Sequence, residues 1–332
     1  MLDEIHPALS FRPEDANPYV LGRISGHNVV LACMPLGMCG TTSAATTAGE
    51  MRFVFPSIRY WFLVGIGGGV PGRTADIRLG DVVVSKPTDR FPGVMQYDFG
   101  KTVQEGPQLQ TGTLNKPHQV LLKAAAFLQA DHKLGQIRMS HYLTEAAAKY
   151  PSFQFSDPIH LEDRLFEASY QHDRGKTNCD HCHLSELTPR SARSTTSPQI
   201  HYGLIASGNQ VMKDAITRDK LGQRYGILCF EMEAAGLMDT LRCLVVKGIC
   251  NYSDSHKNKE WQDYAAATAS AYTKELLSIV PQTQVQSSVQ AKLHEVADWL
   301  TPAMFDRQHK GISTEREPDT GLSLLKSNEY SR

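Results

Sequence analysis

"FLVGIGGGVP", residues 62 to 71, starts as an apolar run and ends in three consecutive glycines and a proline. A short apolar run bounded by turn residues reads as a buried strand. Glycines at its end let backbone N–H groups approach a ligand beyond the carboxyl end of a sheet strand, where α/β proteins bind their ligands. The same rhythm runs outward on both sides: "NVVLACMP" (28–35) reads as a strand, "TTSAATTAGEMRFVF" (41–55) as a helix and "GDVVVSK" (80–86) as a strand. Further on, "IHYGLIASG" (200–208), "YGILCFEME" (225–233) and "CLVVKGIC" (243–250) read as strands. Between and after them, "KDAITRDKLGQ", "AAGLMDTL" and the Ala-rich stretch 260–280 read as helices. This alternation predicts an α/β domain with a largely parallel, buried sheet, closing near residue 280. Helices are also expected over 117–131, 140–149 and 161–171. The glycines do not lead directly into a helix as G-x-G-x-x-G requires, and no G-x-x-x-x-G-K-[ST] occurs, so neither a dinucleotide fold nor a P-loop is supported. A tight strand-to-loop turn is the plainer reading of the glycines alone.

Composition narrows the class. With 332 residues and 41% hydrophobic content the chain can bury a large core. A net charge of −1 without a dense basic stretch argues against nucleic acid or anionic lipid as partner. No apolar run reaches the roughly 18 residues of a membrane span, and the N-terminus lacks a signal core, so a cytoplasmic protein is expected. Seven scattered cysteines fit a reducing compartment better than a disulfide framework. Residues 172–200 are polar, non-periodic and rich in Ser, Thr and Arg, which predicts an exposed excursion. After 1–280, residues 281–332 read as a polar linker, a short helix at 291–300 and a charged tail.

Three stretches carry chemistry. In "CFEMEAAG" (229–236), Glu231 closes a strand and Glu233 opens a helix. Two carboxylates in an apolar run need partners, because an unpaired buried carboxylate costs several kcal/mol or becomes protonated. In "KGICNYSDSHKN" (247–258) a strand end carries Asn251, Ser253 and Asp254. Three strand ends bearing glycines, carboxylates and an amide suit a polar ring compound, with plain capping as the alternative. "CDHCH" places Cys179, His181, Cys182 and His183 together, with His172 and His201 nearby in sequence. A zinc site needs four converging ligands, and a second C-x-x-C or H-x₃₋₅-H is absent, so an exposed loop is the stronger expectation there.

"FLVGIGGGVP…DIRLGDVVVS", "GVMQYDFGK", "IHYGLIASGNQVMKDA", "CFEMEAAGLM" and "SDSHKNK" occur in one order over residues 1–280. Together they resemble the nucleoside phosphorylase/nucleosidase superfamily, in the branch found at the N-terminus of fungal NACHT and ankyrin-repeat receptors. The tail is similar to the connector that precedes the NACHT module there. The resemblance implies a three-layer α/β domain with a central, partly parallel mixed sheet flanked by helices. It implies cleavage of the N-glycosidic bond of a purine nucleoside or nucleotide, ATP among them, with no cofactor and in a homo-oligomer. Glu233 would accept hydrogen bonds from ribose hydroxyls, Met232 would pack on the sugar, and Glu231 would support both. Gly67 and Gly68 would lie beside the base, flanked by Asn209, Gln210 and Val211.

Three departures from the family stand out. Asn251 falls where a buried aspartic acid is expected to protonate purine N7; an amide can hydrogen-bond but cannot deliver a proton, which leaves Asp254 as a substitute. Leu63 falls where phosphorylases keep an arginine for phosphate, which favours water as acceptor over phosphorolysis. The family's first strand, whose following acidic residue positions that water, has no counterpart from Met1 onward. A non-catalytic nucleoside-binding module is therefore a third reading beside hydrolysis and phosphorolysis. Gly40, Thr41 and Thr42 open a helix, a geometry that can hold a substrate's 5′-phosphate as well as simply cap the helix.

Overall fold

Five apolar runs, one of them the glycine-rich 62–69, form strands in the computed structural model. It describes residues 1–8, 17–72, 75–101, 109–110, 112–150, 161–173, 175–176, 178–257 and 259–282. The five are β4 (Phe62–Gly69), β5 (Val82–Ser85), β9 (Ile200–Ser207), β10 (Ile227–Glu231) and β11 (Leu244–Asn251). β4 runs parallel to β11 and antiparallel to β10; β11 is antiparallel to β5; β5 and β10 are each parallel to β9. The mixed sheet thereby closes into a ring, and β6 (Val94–Gln96) continues it along β9.

Period-two alternation decides what each strand contributes. Val82, Val84, Leu244 and Val246 pack outward against α2 (Gln119–Lys133), α3 (Met139–Lys149) and α6 (Gln262–Ile279). Their neighbours Val83, Val245 and Ile249 belong with Ile205 and Cys229 to a separate interior cluster. Each such side chain fully buried contributes about 1.5–3 kcal/mol of transfer free energy. On another face α1 (Thr41–Val54) packs on α5 (Ala234–Met238) through Ala44, Ala48 and Leu237. Gly236 permits this, because a Cβ there would collide with the Thr41 carbonyl. α4 (Ala215–Tyr225) follows β9; Asp214 caps its start and Gly226, at φ 72°, ends it.

Two expectations are corrected. The stretch 28–35 does not join the central sheet. β3 (His27–Ala32) pairs antiparallel with β2 (Tyr19–Ile24), which pairs with β1 (Glu4–Ile5), in a sheet of their own. Ser25 and Gly26, at φ 48° and 82°, make the tight hairpin turn, and this Ser-Gly pair was its signal in the sequence. The helix expected over 161–171 is absent. That segment is irregular, with an isolated bridge between Phe166 and Leu187, because its charged groups pair with distant partners rather than along a helix. Residues Met1–Val280 make one compact unit. The helix expected at 291–300 lies outside the described residues. Among the described residues no helix is long and apolar enough to cross a membrane.

Candidate active site

The carboxyl ends of four strands meet. Gly68 is in register with Phe230 of β10 on one side and Asn251 of β11 on the other. Glu231 is in register with Ser207 of β9, and the Gly208 N–H donates to the Glu231 carbonyl (3.2 Å). Gly68 is needed for close approach: a Cβ would collide with Ser253 Oγ and lie 2.8 Å from Asn251 Oδ1. A Cβ on Gly67 would press on Cys229 and the Phe230 carbonyl.

The partner that the two glutamates require is Lys247. It sits on β11 at the interior parity of Val245 and Ile249, 2% exposed. Its Nζ lies 3.0 Å from Glu231 Oε2 and 3.2 Å from Glu233 Oε2. Burial alone would lower the Lys247 pKa; the charges of Glu231 and Glu233 overcome it and hold the ammonium far above its ordinary value. Glu231 also accepts from the N–H groups of Glu233 (3.1 Å) and Ala234 (3.0 Å), so it fixes the opening turn of α5. Ser207 Oγ accepts from the Ala235 N–H in the same turn (2.9 Å). Only Oε2 of Glu233 is engaged among the described residues, and the side chain keeps 13% exposure. Sequence reasoning missed Lys247, although a single lysine inside "LVVKGIC" was a legible anomaly.

A hydrogen-bonded loop joins two other groups of predicted residues. Asn209 Oδ1 accepts from the Thr41 N–H (3.0 Å) and hydroxyl (3.1 Å), tying the loop to the start of α1, where Gly40 has φ 106°. The Asn209 N–H donates to Asp98 (2.7 Å), which also accepts from Gln96 (3.1 Å). The Tyr97 hydroxyl donates to the Gln210 carbonyl (2.6 Å). Burial and the nearby charges of Asp98 and Glu231 push the Tyr97 phenol up to about 12, so it remains a donor. Tyr97 and Asp98 are further groups that the sequence did not announce. Thr41 and Thr42 line a cavity of about 440 Å³ with Phe99 and Asp239, whereas Gln210, Val211 and Lys257 line another of about 1300 Å³.

Asn251 is held by its neighbours, with Oδ1 accepting from the Ser253 N–H (2.9 Å) and Nδ2 donating to Cys250 Sγ (3.1 Å). Asp254 lines a cavity of about 210 Å³ together with Asn251. It is not a free acid: Oδ1 accepts from the His256 N–H (2.9 Å) and Oδ2 lies 3.8 Å from the buried Arg218 guanidinium. Lys257 has no ion-pair partner among the described residues, and burial lowers its pKa.

The excursion lines the cavities beside Lys257 and Asn251 and is less loose than its composition suggests. Arg193 makes two 2.7 Å contacts with buried Asp81, which also accepts from His201 (2.9 Å). Arg190 reaches Asp76 (2.7 Å), Asp163 (3.4 Å) and the Tyr252 hydroxyl (2.6 Å). Burial would raise the Asp81 pKa, but hydrogen bonds from Arg193 and His201 hold it below the usual range. Of the sulfur and imidazole groups singled out, the structure gathers Cys179 and Cys182 with His172 rather than with His183. The His183 ring lies edge-on to Tyr170 at 6.2 Å, and its backbone N–H donates to the Tyr170 hydroxyl (3.1 Å).

Known proteins are similar to this chain to different depths. A nucleotide-binding leucine-rich repeat (NLR)-like protein of Hyaloscypha variabilis is 40% identical over the whole of this chain. The chain spans 32% of that relative's length. A 5′-methylthioadenosine/S-adenosylhomocysteine nucleosidase of Mycobacterium tuberculosis is 24% identical over 78% of this chain and 84% of its own. Among solved structures, such a nucleosidase from Colwellia psychrerythraea, in complex with adenine, superposes with a TM-score of 0.51. It is 16% identical and covers 84% of this chain and 88% of its own, a likeness of fold. The corresponding Neisseria meningitidis enzyme, in complex with methylthio-immucillin-A, gives 0.50 at 16% identity, over 84% of this chain and 91% of its own. The profile of the phosphorylase superfamily matches residues 6–281, and the chain belongs to that family.

Proposed function

We propose that this chain is a purine nucleosidase that transfers the glycosyl group of a purine nucleoside or nucleotide to water. The observation that carries this reading is the Lys247 bridge between Glu231 and Glu233, at the strand ends that also hold Gly67, Gly68 and Asn251. It fixes both glutamates in place and leaves Glu233 Oε1 for ribose hydroxyls, with Met232 beside the sugar. As the C1′–N bond breaks, its electron pair goes to the base and positive charge builds on the sugar. A preorganised carboxylate stabilises that charge without reorienting. Water then adds to C1′ and loses a proton, while the base gains one.

Asn251 would hydrogen-bond the leaving base. Asp254 is the weaker candidate for proton donation, because Arg218 and the His256 N–H already engage it. Lys257, facing the cavity beside Gln210 and Val211, is an added candidate for charge stabilisation. Hydrolysis is favoured over phosphorolysis because Leu63 is packed with Ala44 and Ala48, where an inorganic phosphate would require a cation. The identity to the NLR-like relative supports a role as effector domain in such a receptor, with a nucleotide-binding module in the longer chain. Exposed Leu36, Met38 and Phe53 near α1 support a homo-oligomer. A nucleoside-binding module without catalysis is the second reading, favoured by the amide at Asn251.

The test is chromatographic. Purified chain is incubated with ATP, AMP, adenosine, inosine and guanosine, with and without phosphate, beside Asn251→Asp. Free base without phosphate is expected from the wild type. Release only with phosphate would establish phosphorolysis; release only from Asn251→Asp, with nucleoside binding intact in both, would establish the binding module.

A further inference from the structure

We propose that His172, Cys179 and Cys182 hold a zinc ion that fastens the excursion to the rim of the candidate site. The ligand atoms of these three residues already lie within 4.8 Å of one another. Ligands of a tetrahedral zinc stand about 3.3–3.8 Å apart, given bonds of about 2.0–2.3 Å, so a small contraction completes the cluster. The C-x-x-C turn is formed, with the Cys182 N–H donating to the Cys179 carbonyl (3.1 Å). The segment is also laced to the loop after β11: the His172 N–H donates to Ser255 Oγ (2.9 Å), and Cys179 Sγ lies 3.9 Å from the His256 carbonyl.

A second observation concerns the neighbouring imidazole. His256 Nε2 is buried and has no hydrogen-bond partner. Its ring is stacked on Phe166 at 4.2 Å and Tyr170 at 5.2 Å, with the His172 ring edge-on at 5.4 Å. It lies outside the cluster of three, beside the His172 ring, and would reach the fourth position by a shift of its own ring. Two thiols and two imidazoles are a borderline-soft set that suits Zn²⁺. Binding releases one proton from each thiol, and two thiolates neutralise the dication. The bound ion would hold residues 172–182 over the cavities that Asn251, Val211 and Lys257 line.

The experiment uses the full chain, purified under reductant, exposed to Zn²⁺ and dialysed. Elemental analysis is expected to find stoichiometric zinc in the wild type and in His183→Asn, and at least a tenfold loss in Cys182→Ser and His172→Asn. Should a variant fail to fold, Co²⁺ titration of the wild type decides: a thiolate-to-cobalt charge-transfer band with tetrahedral d–d absorption is expected. Zinc absent from the wild type, zinc unchanged in Cys182→Ser, or a cobalt spectrum without sulfur ligation would overturn the proposal. So would recovery of a Cys179–Cys182 disulfide from the reduced preparation.

Discussion

The strand ends around Lys247 and the excursion over 172–200, taken together with the irregular segment 161–171 before it, meet at the cavity that Asn251 and Cys179 line, yet they are held by opposite means. At the strand ends a closed ring of apolar strands comes first, and a few charges are placed within it: Lys247 between Glu231 and Glu233, Asn251 beside Gly68. In the excursion charges come first. Arg190 and Arg193 reach Asp76, Asp81 and Asp163, and little apolar surface besides Leu165 and Phe166 is buried. The difference teaches that polar composition does not equal looseness: an arginine-rich segment is ordered when buried carboxylates wait for it on the body.

The sharpest way to break the comparison is Lys247→Met. It leaves two carboxylates at the ring end without their cation, and breaking a buried pair by removing one partner costs about 3–5 kcal/mol. Urea denaturation should show that loss, while zinc content and the excursion's resistance to protease stay near wild type. A loss below about 1 kcal/mol, the scale of exposed pairs, would mean that the strand ends do not depend on the buried triad.

Asn251→Asp asks whether the ring end is complete as a catalyst. A group able to protonate the leaving base contributes about 10²–10⁴-fold. Base release should therefore rise by about 10²-fold, the lower end, because Ser253 and Cys250 already constrain this side chain. Unchanged release, measured with the same substrate panel, would assign proton delivery to another group such as Lys257.

These two positions also show how far the sequence was legible. The strands, α1, α2, α3 and α6 carried clear periodicity, and the strand-end motifs Gly67-Gly68, Glu231-Met232-Glu233 and Asn251 converge as their order suggested. Lys247 was visible only as an oddity, because its meaning depends on the registers of β11 and β10 on the β4 between them, which no local pattern encodes. Ring closure and the separate β1–β3 sheet rest on long-range pairings of the same kind. In the excursion almost nothing was legible. Asp163 pairs with Arg190, and Arg193 with Asp81, across 27 and 112 residues, so propensity over 161–171 suggested a helix that tertiary charge pairing overrides.

For the excursion the matching break is Asp81→Asn. Arg193 and His201 would lose a charged acceptor, at about 1.5–3 kcal/mol for a hydrogen bond to a charged group. Proteolysis within 161–199 should accelerate while the ring unfolds late. Acid should act similarly. Asp81 is held below its unfolded pKa despite its burial, by Arg193 and His201, and Asp76 at about 2, where Arg190 and Arg78 outweigh partial desolvation. Their contribution is full above the unfolded value of about 4 and is lost as pH falls from there towards 2. Asp76 is half exposed, so Asp81 should account for most of the effect. Release of the excursion only above pH 5 would exclude these carboxylates as its anchors.

The smallest expected effect falls between the two regions, at Asn209. Its Oδ1 occupies the first N–H and hydroxyl of α1, so Asn209→Ala removes a cap supplied from 168 residues away. Stability should fall by about 1 kcal/mol, the ordinary value of an N-cap. The kinetic consequence is more telling. If Gly40, Thr41 and Thr42 contact a 5′-phosphate, that phosphate competes with Asn209 for the Thr41 N–H, and removing the amide frees the site for an anion at a positive helix end. KM for AMP should then fall relative to adenosine in Asn209→Ala, and Thr41→Val should reverse the gain in part. An unchanged AMP-to-adenosine ratio would make the start of α1 a purely structural junction. The Lys257 side of the larger cavity would then be where a phosphate chain must be sought, since Lys213 and Lys259 also line it.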